Sequence, residues 1–383
     1  MDNKKNKILN VPTLRFEEYT DEWNKFALSD FVTRITRRNK NNESSLPLTI
    51  SAQYGLVDQI TFFNKTVASV DLSGYYLLYN GDFAYNKSYS NDYAWGAVKR
   101  LDKYEKGCLS SLYFVFRPTD KVDSDYLTHY FETNKWHKGI SDIAGEGARN
   151  HGLLNMSVDD YFATKHYLPT LPEQRKIADF LNLIVKRIEI QNKIISKYES
   201  LIKGLCEYII TIANGHPIRL GEISTIYQPQ TITQAELSEN GAYPVFGANG
   251  IIGYYHQFNH EKAQIIITCR GSTCGTVNMS VPNSWITGNS MVINVDGYES
   301  IVDKQYLFYY LKTISFKSMI SGSGQPQIVR KPLVDLLISL PELNTQVKYR
   351  SIIATIEKKL VKEKDMLSRL TDLKAYLLSN LFI

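Results

Sequence analysis

The chain has 383 residues, 44 basic and 39 acidic, for a formal charge of +5 and a pI near 8.7. So small an excess permits a polyanionic partner without requiring one. No apolar run approaches membrane-spanning length and no apolar signal segment follows Met1, which sets the expectation of a cytosolic protein with no membrane partner.

Four cysteines, Cys108, Cys206, Cys269 and Cys274, are too sparse for a secreted disulfide scaffold. His256 and His260 precede Cys269 and Cys274 instead of following them at finger spacing, so buried thiols are expected in place of zinc. Tyrosine, at 26, is the unusual count.

In chain order, Val11 to Val32 is a short hydrophobic opening that places Trp23 before Leu28, Asp30 and Phe31. Runs rich in aromatic and β-branched residues, Tyr75 to Leu78, Phe83 to Tyr85 and Leu112 to Phe116, read as strands. A helix is expected over DSDYLTHYFETNKW, with Tyr126, Leu127, Tyr130 and Phe131 on one face. A glycine loop, GEGARN at Gly145 to Asn150, follows.

The order then repeats. Leu220, Glu222 and Ile223 take the places of Leu28, Asp30 and Phe31, and strands are expected at Ile265 to Thr268 and Met291 to Val295. A helix over VDKQYLFYYLKTI precedes the second glycine loop, GSGQPQ at Gly322 to Gln327. Each half reads as α+β with a mostly irregular sheet.

Each half ends in a long stretch almost free of Gly and Pro. The first has apolar residues at Ile177, Leu181, Ile184, Ile188, Ile195, Tyr198, Ile202, Leu205, Ile209 and Ile212, interrupted at Gln191. The second runs Tyr349, Ile353, Ile356, Leu360, Leu367, Leu370, Leu377 and Leu381, interrupted at Glu363 and again at Lys374. Alternating steps of three and four suit a partner helix. An offset of 172 residues maps Leu168, Pro169, Gln174 and Gln191 onto Leu340, Pro341, Gln346 and Glu363. If the helices pair antiparallel, Gln191 and Glu363 lie close enough to hydrogen-bond; alternatively, both snorkel to solvent at the seam edge. The expected division is 1–168 and 215–340 as similar domains, with long helices over 169–214 and 341–383.

No stretch looks like an active site. There is no GxxxxGK phosphate loop, no H-E-x-x-H, no G-x-S-x-G and no Asn/Asp-Pro-Pro-aromatic motif of a base-amino methyltransferase. No cofactor or metal is expected. What remains is base-reading chemistry in polar loops: Lys87, Lys99, Arg100, Arg149 and Asn150 in the first half, and Arg270, Gln325, Gln327, Arg330 and Lys331 in the second. Arg and Lys grip phosphates or the guanine edge, while Asn and Gln pair with adenine.

With these residues in view, the chain resembles the specificity subunit of type I restriction-modification systems. The likeness rests on VPTLRFEEYTDEW, both domain starts, GSGQPQI, and above all LPTLPEQRKIADFL at the head of the first long helix. The second copy of that last motif carries Asn344 and Thr345 where the first has Pro172 and Glu173. The resemblance implies two target recognition domains separated by an antiparallel coiled coil, each reading one half of a bipartite site in double-stranded DNA. It implies that two modification subunits and ATP-dependent restriction subunits dock on the chain and perform the chemistry. A self-contained restriction or methyltransferase enzyme and a protein-only coiled-coil adaptor are the alternatives.

Overall fold

The computed structural model describes residues 10–65, 67–90, 92–145, 152–212, 214–322 and 324–383. Its helices are α1 (Gln59–Phe63), α2 (Ser124–Tyr130), α3 (His137–Ile143), α4 (Val158–Ala163), α5 (Leu171–Ile212), α6 (Lys304–Thr313), α7 (Arg330–Val334) and α8 (Leu343–Asn380). The chain forms two compact units: residues up to Ile190 with Leu367–Ile383, and Gln191–Met366. α5 and α8 therefore supply a segment to each.

Unit 1 is built on a four-stranded antiparallel sheet ordered Val32–Arg34, Phe114–Pro118, Phe83–Asn86, Ala97–Arg100. A two-stranded ribbon, Asn24–Ala27 against Lys165–Leu168, closes the domain beside α5. Unit 2 repeats both: Thr225–Tyr227, Ser290–Asn294, Ile265–Thr268, Val277–Met279 in the same order, and His216–Arg219 against Leu337–Leu340. The hairpin of Tyr243–Gly247 with Gly250–Tyr255 carries a register shift at Val245/Phe246, while the four-stranded sheets keep an unbroken register, against the expectation of mostly irregular ones. Their hydrogen-bonded neighbours lie far apart in sequence, which local patterning does not register.

The expected strands are present with ends displaced by a few residues. Phe114–Pro118 starts late because Tyr113 N bonds back to Ser110 O in a turn that leaves Leu112 exposed. The helix expected over DSDYLTHYFETNKW stops at Tyr130. There the backbone ladder tightens to three-residue turns, Glu132 N to His129 O and Thr133 N to Tyr130 O, while Thr133 Oγ1 also donates to Tyr130 O at 2.7 Å and accepts from Lys135 N before α3 begins. Part of the tyrosine excess turns inward, with Tyr85, Tyr126, Tyr130, Tyr161 and Tyr306 fully buried and Tyr85 stacked on Tyr161 at 4.6 Å between ring centres, while others such as Tyr54, Tyr208 and Tyr376 are exposed.

The long helices pair through the expected seam. In unit 1, Ile177 and Leu181 are buried with Leu377 and Leu381, while Ile184, Ile188, Leu367 and Leu370 are half-buried. In unit 2, Ile195, Ile209 and Ile353 are buried and Ile356 and Leu360 half-buried. The start of α5 packs with the end of α8 and the reverse holds in unit 2, so the pair is antiparallel. Ile212 is exposed, correcting its place in the seam.

Each seam end is continuous with a domain core, and a glutamine at matching positions of the two helices ties the two together. Gln174 accepts from Asp123 N at 2.8 Å and donates to Pro169 O at 2.9 Å. Gln346 repeats this with Asp303 N and Pro341 O, both at 2.8 Å, and adds Ile301 O at 2.9 Å. Asp123 and Asp303 cap α2 and α6, so one buried side chain fixes a long helix to a domain helix in each copy. Glu173, also buried, accepts two bonds from Arg15 at 2.7 and 2.8 Å and one from Trp23 Nε1 at 3.3 Å. Thr345, its counterpart, has no charge with which to repeat that anchor.

Candidate nucleic-acid interface

In unit 2 the strand Ile265–Thr268 runs into Cys269 and Arg270, where the chain turns: Cys274 N bonds to Gly271 O and Gly275 N to Thr268 O. This turn is stitched to the second glycine loop. Gly271 N donates to Pro326 O at 3.0 Å and Ile328 N to Cys269 O at 3.1 Å, while Ser321 and Gln327 exchange two backbone bonds of 2.9 Å. Gly322 takes a φ of 89°, a left-handed conformation that glycine adopts without strain. Arg270, Gln325 and Gln327 thus stand exposed on one ledge, and among the described residues their side chains have no hydrogen-bond partner. A cation and two amides free to pair is the chemistry that reads base edges and phosphates. Arg330 is spoken for, donating from Nε to Ile226 O at 2.6 Å; Lys331 is exposed on α7.

Unit 1 repeats the ledge at the end of Phe83–Asn86. Leu154 N bonds to Lys87 O and Tyr89 N to Gly152 O, both at 2.9 Å, so Lys87 stands beside the segment that follows the first glycine loop. Its ammonium lies 5.4 Å from the centre of the Phe114 ring. Arg149 and Asn150 lie outside the described residues. Lys99 and Arg100 sit one strand away. Arg100 holds Asp102 and Asp125, each at 2.6 Å, and Ser124 at 2.8 Å. Burial pulls the Lys99 pKa down, with Glu132 opposing.

The polar network beneath that strand has no counterpart in the sequence motifs. Lys374, the second break in the α8 seam, reaches Glu132 of the domain at 2.9 Å. Burial opposes ionisation of Glu132, but the His129 ring and the charges of Lys374 and Lys99 hold its pKa at about 2. The signal that could have located the pair is the interrupted seam itself, since a lysine facing inward needs a carboxylate.

Among the described residues, no three His, Cys, Asp or Glu side chains stand where they could hold a metal ion. His260 engages both ring nitrogens, with Tyr227 Oη at 2.8 Å and Asn259 Oδ1 at 2.6 Å. Cys108, Cys206 and Cys269 are buried free thiols, and Cys274 is half-buried. No helix among the described residues is long and apolar enough to cross a membrane.

A family described as the type I restriction modification DNA specificity domain matches residues 216–369, which contain the second ledge and most of α8. Over residues 216–369 the chain is thus similar to the type I restriction-modification DNA specificity domain. The Escherichia coli protein named type I restriction enzyme EcoprrI specificity subunit is 27% identical over 138 residues, 35% of this chain and 34% of that protein. A putative specificity subunit from Haemophilus influenzae is 26% identical over 123 residues, 31% of each chain. The aligned stretches thus span about a third of these relatives.

A likeness of fold to solved structures spans nearly the whole chain. A type I restriction-modification S subunit from M. genitalium superimposes with a TM-score of 0.59 at 19% identity, covering 97% of this chain and 99% of that one. A structure described as bearing on complex assembly and conformational transition of the type I restriction-modification system gives 0.56 at 17% identity, covering 94% and 97%.

Proposed function

We propose that this chain is the non-catalytic specificity subunit of a type I restriction-modification complex. Its two domains, residues 1–168 and 215–340, each read one half of a bipartite site in duplex DNA. The long helices, 169–214 and 341–383, set the interval between the half-sites and dock two modification subunits, to which restriction subunits add. Lys87, Arg270, Gln325, Gln327 and Lys331 are assigned to the reading surface, and Arg149 and Asn150, from the sequence alone, to the same role.

One observation carries this reading. The same four-stranded sheet presents the same stitched ledge twice, with different side chains on it, and the pair of helices that joins both units is continuous. Two unlike readers on one scaffold suit an asymmetric site. Each helix, at about 1.5 Å per residue, is of the order of 60 Å long, a length comparable with nearly two turns of duplex.

The test is to map methylated adenines in DNA exposed to the chain assembled with its modification subunit, alongside gel shifts over a range of salt. Modified adenines in two short sequences at a constant interval, with binding that weakens steeply as salt rises, are expected. Modification of DNA by the purified chain alone would restore the self-contained enzyme, and salt-insensitive binding to proteins only would restore the adaptor.

A further inference from the structure

Unit 1 contains a cleft of 530 Å³ that the reading surface does not use. One wall is the ribbon Asn24–Ala27 with Lys165–Leu168, whose register pairs Lys25 with Tyr167 and Ala27 with Lys165. Lys25 and Lys165 are therefore diagonal neighbours on one face of the ribbon. The opposite wall is α3 and its approach, which bring Lys135 and Lys138. Lys25, Lys138 and Lys165 are exposed and Lys135 half-buried, and among the described residues none of the four has a carboxylate within ion-pairing distance.

Two carboxylates also line the cleft, Asp142 and Asp160. Asp160 accepts from Ser157 Oγ at 2.6 Å in the cap of α4. The floor is His166, whose ring nitrogens meet Tyr130 Oη and Thr164 Oγ1, each at 2.8 Å. Four ammonium groups around one concavity repel one another, Lys25 lying 5.4 Å from the centre of the Tyr167 ring, and the carboxylates lining the cleft offset only part of that charge.

The second domain does not repeat this feature. Pro217 and Leu337 occupy the places of Lys25 and Lys165, and Arg219, paired with Leu337 in the register, is committed to Asp335 at 3.1 Å. The cleft is thus no by-product of the shared fold. Its α3 wall is seven residues, about 10 Å, and leads to Gly145, whose N–H bonds to Asn155 O next to Leu154, the partner of Lys87. A duplex on the first ledge has further phosphates within that reach, since each strand carries one about every 3.4 Å.

We infer that this cleft grips backbone phosphates of the DNA flanking the half-site read by the first domain. The inference rests on the DNA-reading function proposed above and adds a sequence-independent hold on one side only. Lys25, Lys135, Lys138 and Lys165 supply point charges to phosphate oxygens, which fixes position and carries no base information.

The test uses the full chain and a duplex containing the mapped site with long flanks. Affinity is measured across a salt series for the unaltered chain, for Lys135→Ala/Lys138→Ala/Lys165→Ala, and for Lys138→Glu alone, a single exposed change that keeps the test readable should the triple variant fold poorly. The slope of log affinity against log salt is expected to become shallower by about 0.9 for each phosphate that is no longer neutralised. The protected footprint should retreat only on the flank beside the first half-site, with the bases recognised unchanged. Loss of all salt-dependent binding by the unaltered chain overturns the DNA reading and this site with it. Normal binding with an unaltered slope and footprint in both variants overturns this site alone.

Discussion

Gln191 donates from Nε2 to the backbone carbonyl of Glu363 at 3.1 Å and to its carboxylate at 2.5 Å, joining the central polar breaks of α5 and α8. Gln191 is buried and, among the described residues, its Oε1 has no partner, so the contact is costly as well as specific. Replacing both residues by Leu is expected to raise stability by about 1–4 kcal/mol, as for other buried polar pairs, while admitting misregistered or oligomeric species. Thermal melting with light scattering reads both, and a fall in melting temperature rejects the register role.

Gln174 and Gln346 make matching claims on separate units. Gln174→Ala strips partners from Asp123 N and Pro169 O, and Gln346→Ala from Asp303 N, Pro341 O and Ile301 O. Leaving two or three buried backbone groups unmet is expected to cost about 2–4 kcal/mol in each case. Hydrogen exchange should show the loss confined to the unit that carries the substitution. Equal loosening of both units by either variant contradicts the assignment.

His166 sets an acid response in unit 1. Burial pushes its pKa from 6.5 down to about 4, so the folded state keeps the ring neutral while the unfolded chain protonates it. The stabilisation, roughly 3 kcal/mol, is complete above pH 6.5 and is lost as pH falls through 4. Glu132, held at about 2, contributes above its ordinary 4.5 and loses that contribution as pH falls toward 2. Urea unfolding of His166→Gln should be flatter between pH 6.5 and 4, and that of Glu132→Gln flatter only below 4.5. A wild-type slope in either window removes that residue from the account.

These residues show where sequence reasoning ran out. The long helices were legible because forty residues of regular spacing with almost no Gly or Pro admit little else, and Gln191 opposite Glu363 followed from the offset. Strand Ile265–Thr268 was legible to the residue because four β-branched side chains end at a turn. The ribbon pairing Asn24–Ala27 with Lys165–Leu168 was not, since neither tetrapeptide alternates and their partners are far apart in the chain. α3 and α4, at seven and six residues, are too short for a helical period to declare itself. Arg100 looks like a free cation until the fold sets Asp125 beside it. Arg270 and Gln327 became neighbours only through backbone bonds between two loops.

The ledge of unit 2 predicts a specificity change confined to one half-site. Arg270→Ala and Gln327→Ala each remove a side chain proposed to read bases, without a hydrogen-bond partner among the described residues, while leaving the backbone stitching intact. Each is expected to cost about 1–3 kcal/mol against the cognate base and to relax preference at one position of the second half-site. Selection from a randomised duplex library reads this. Uniform weakening with preference retained would assign the residue to phosphate, and a change in the first half-site would contradict the division of labour.

The interval between the proposed half-sites is the most mechanical consequence expected of two continuous helices. Deleting or adding one heptad in α5 and the facing heptad in α8 keeps the apolar seam in phase, because a whole number of heptads returns each side chain to the same face. The length changes by about 10 Å, which corresponds to roughly three base pairs at 3.4 Å each. The deletion lies away from Gln174, Gln346 and both ledges, so the domains keep their anchors and their reading groups. Methylation mapping with the altered chain should return the same two half-sites at an interval shifted by about three base pairs. Altered half-site bases, or an unaltered interval with full activity, would show that something other than the helix pair sets the distance.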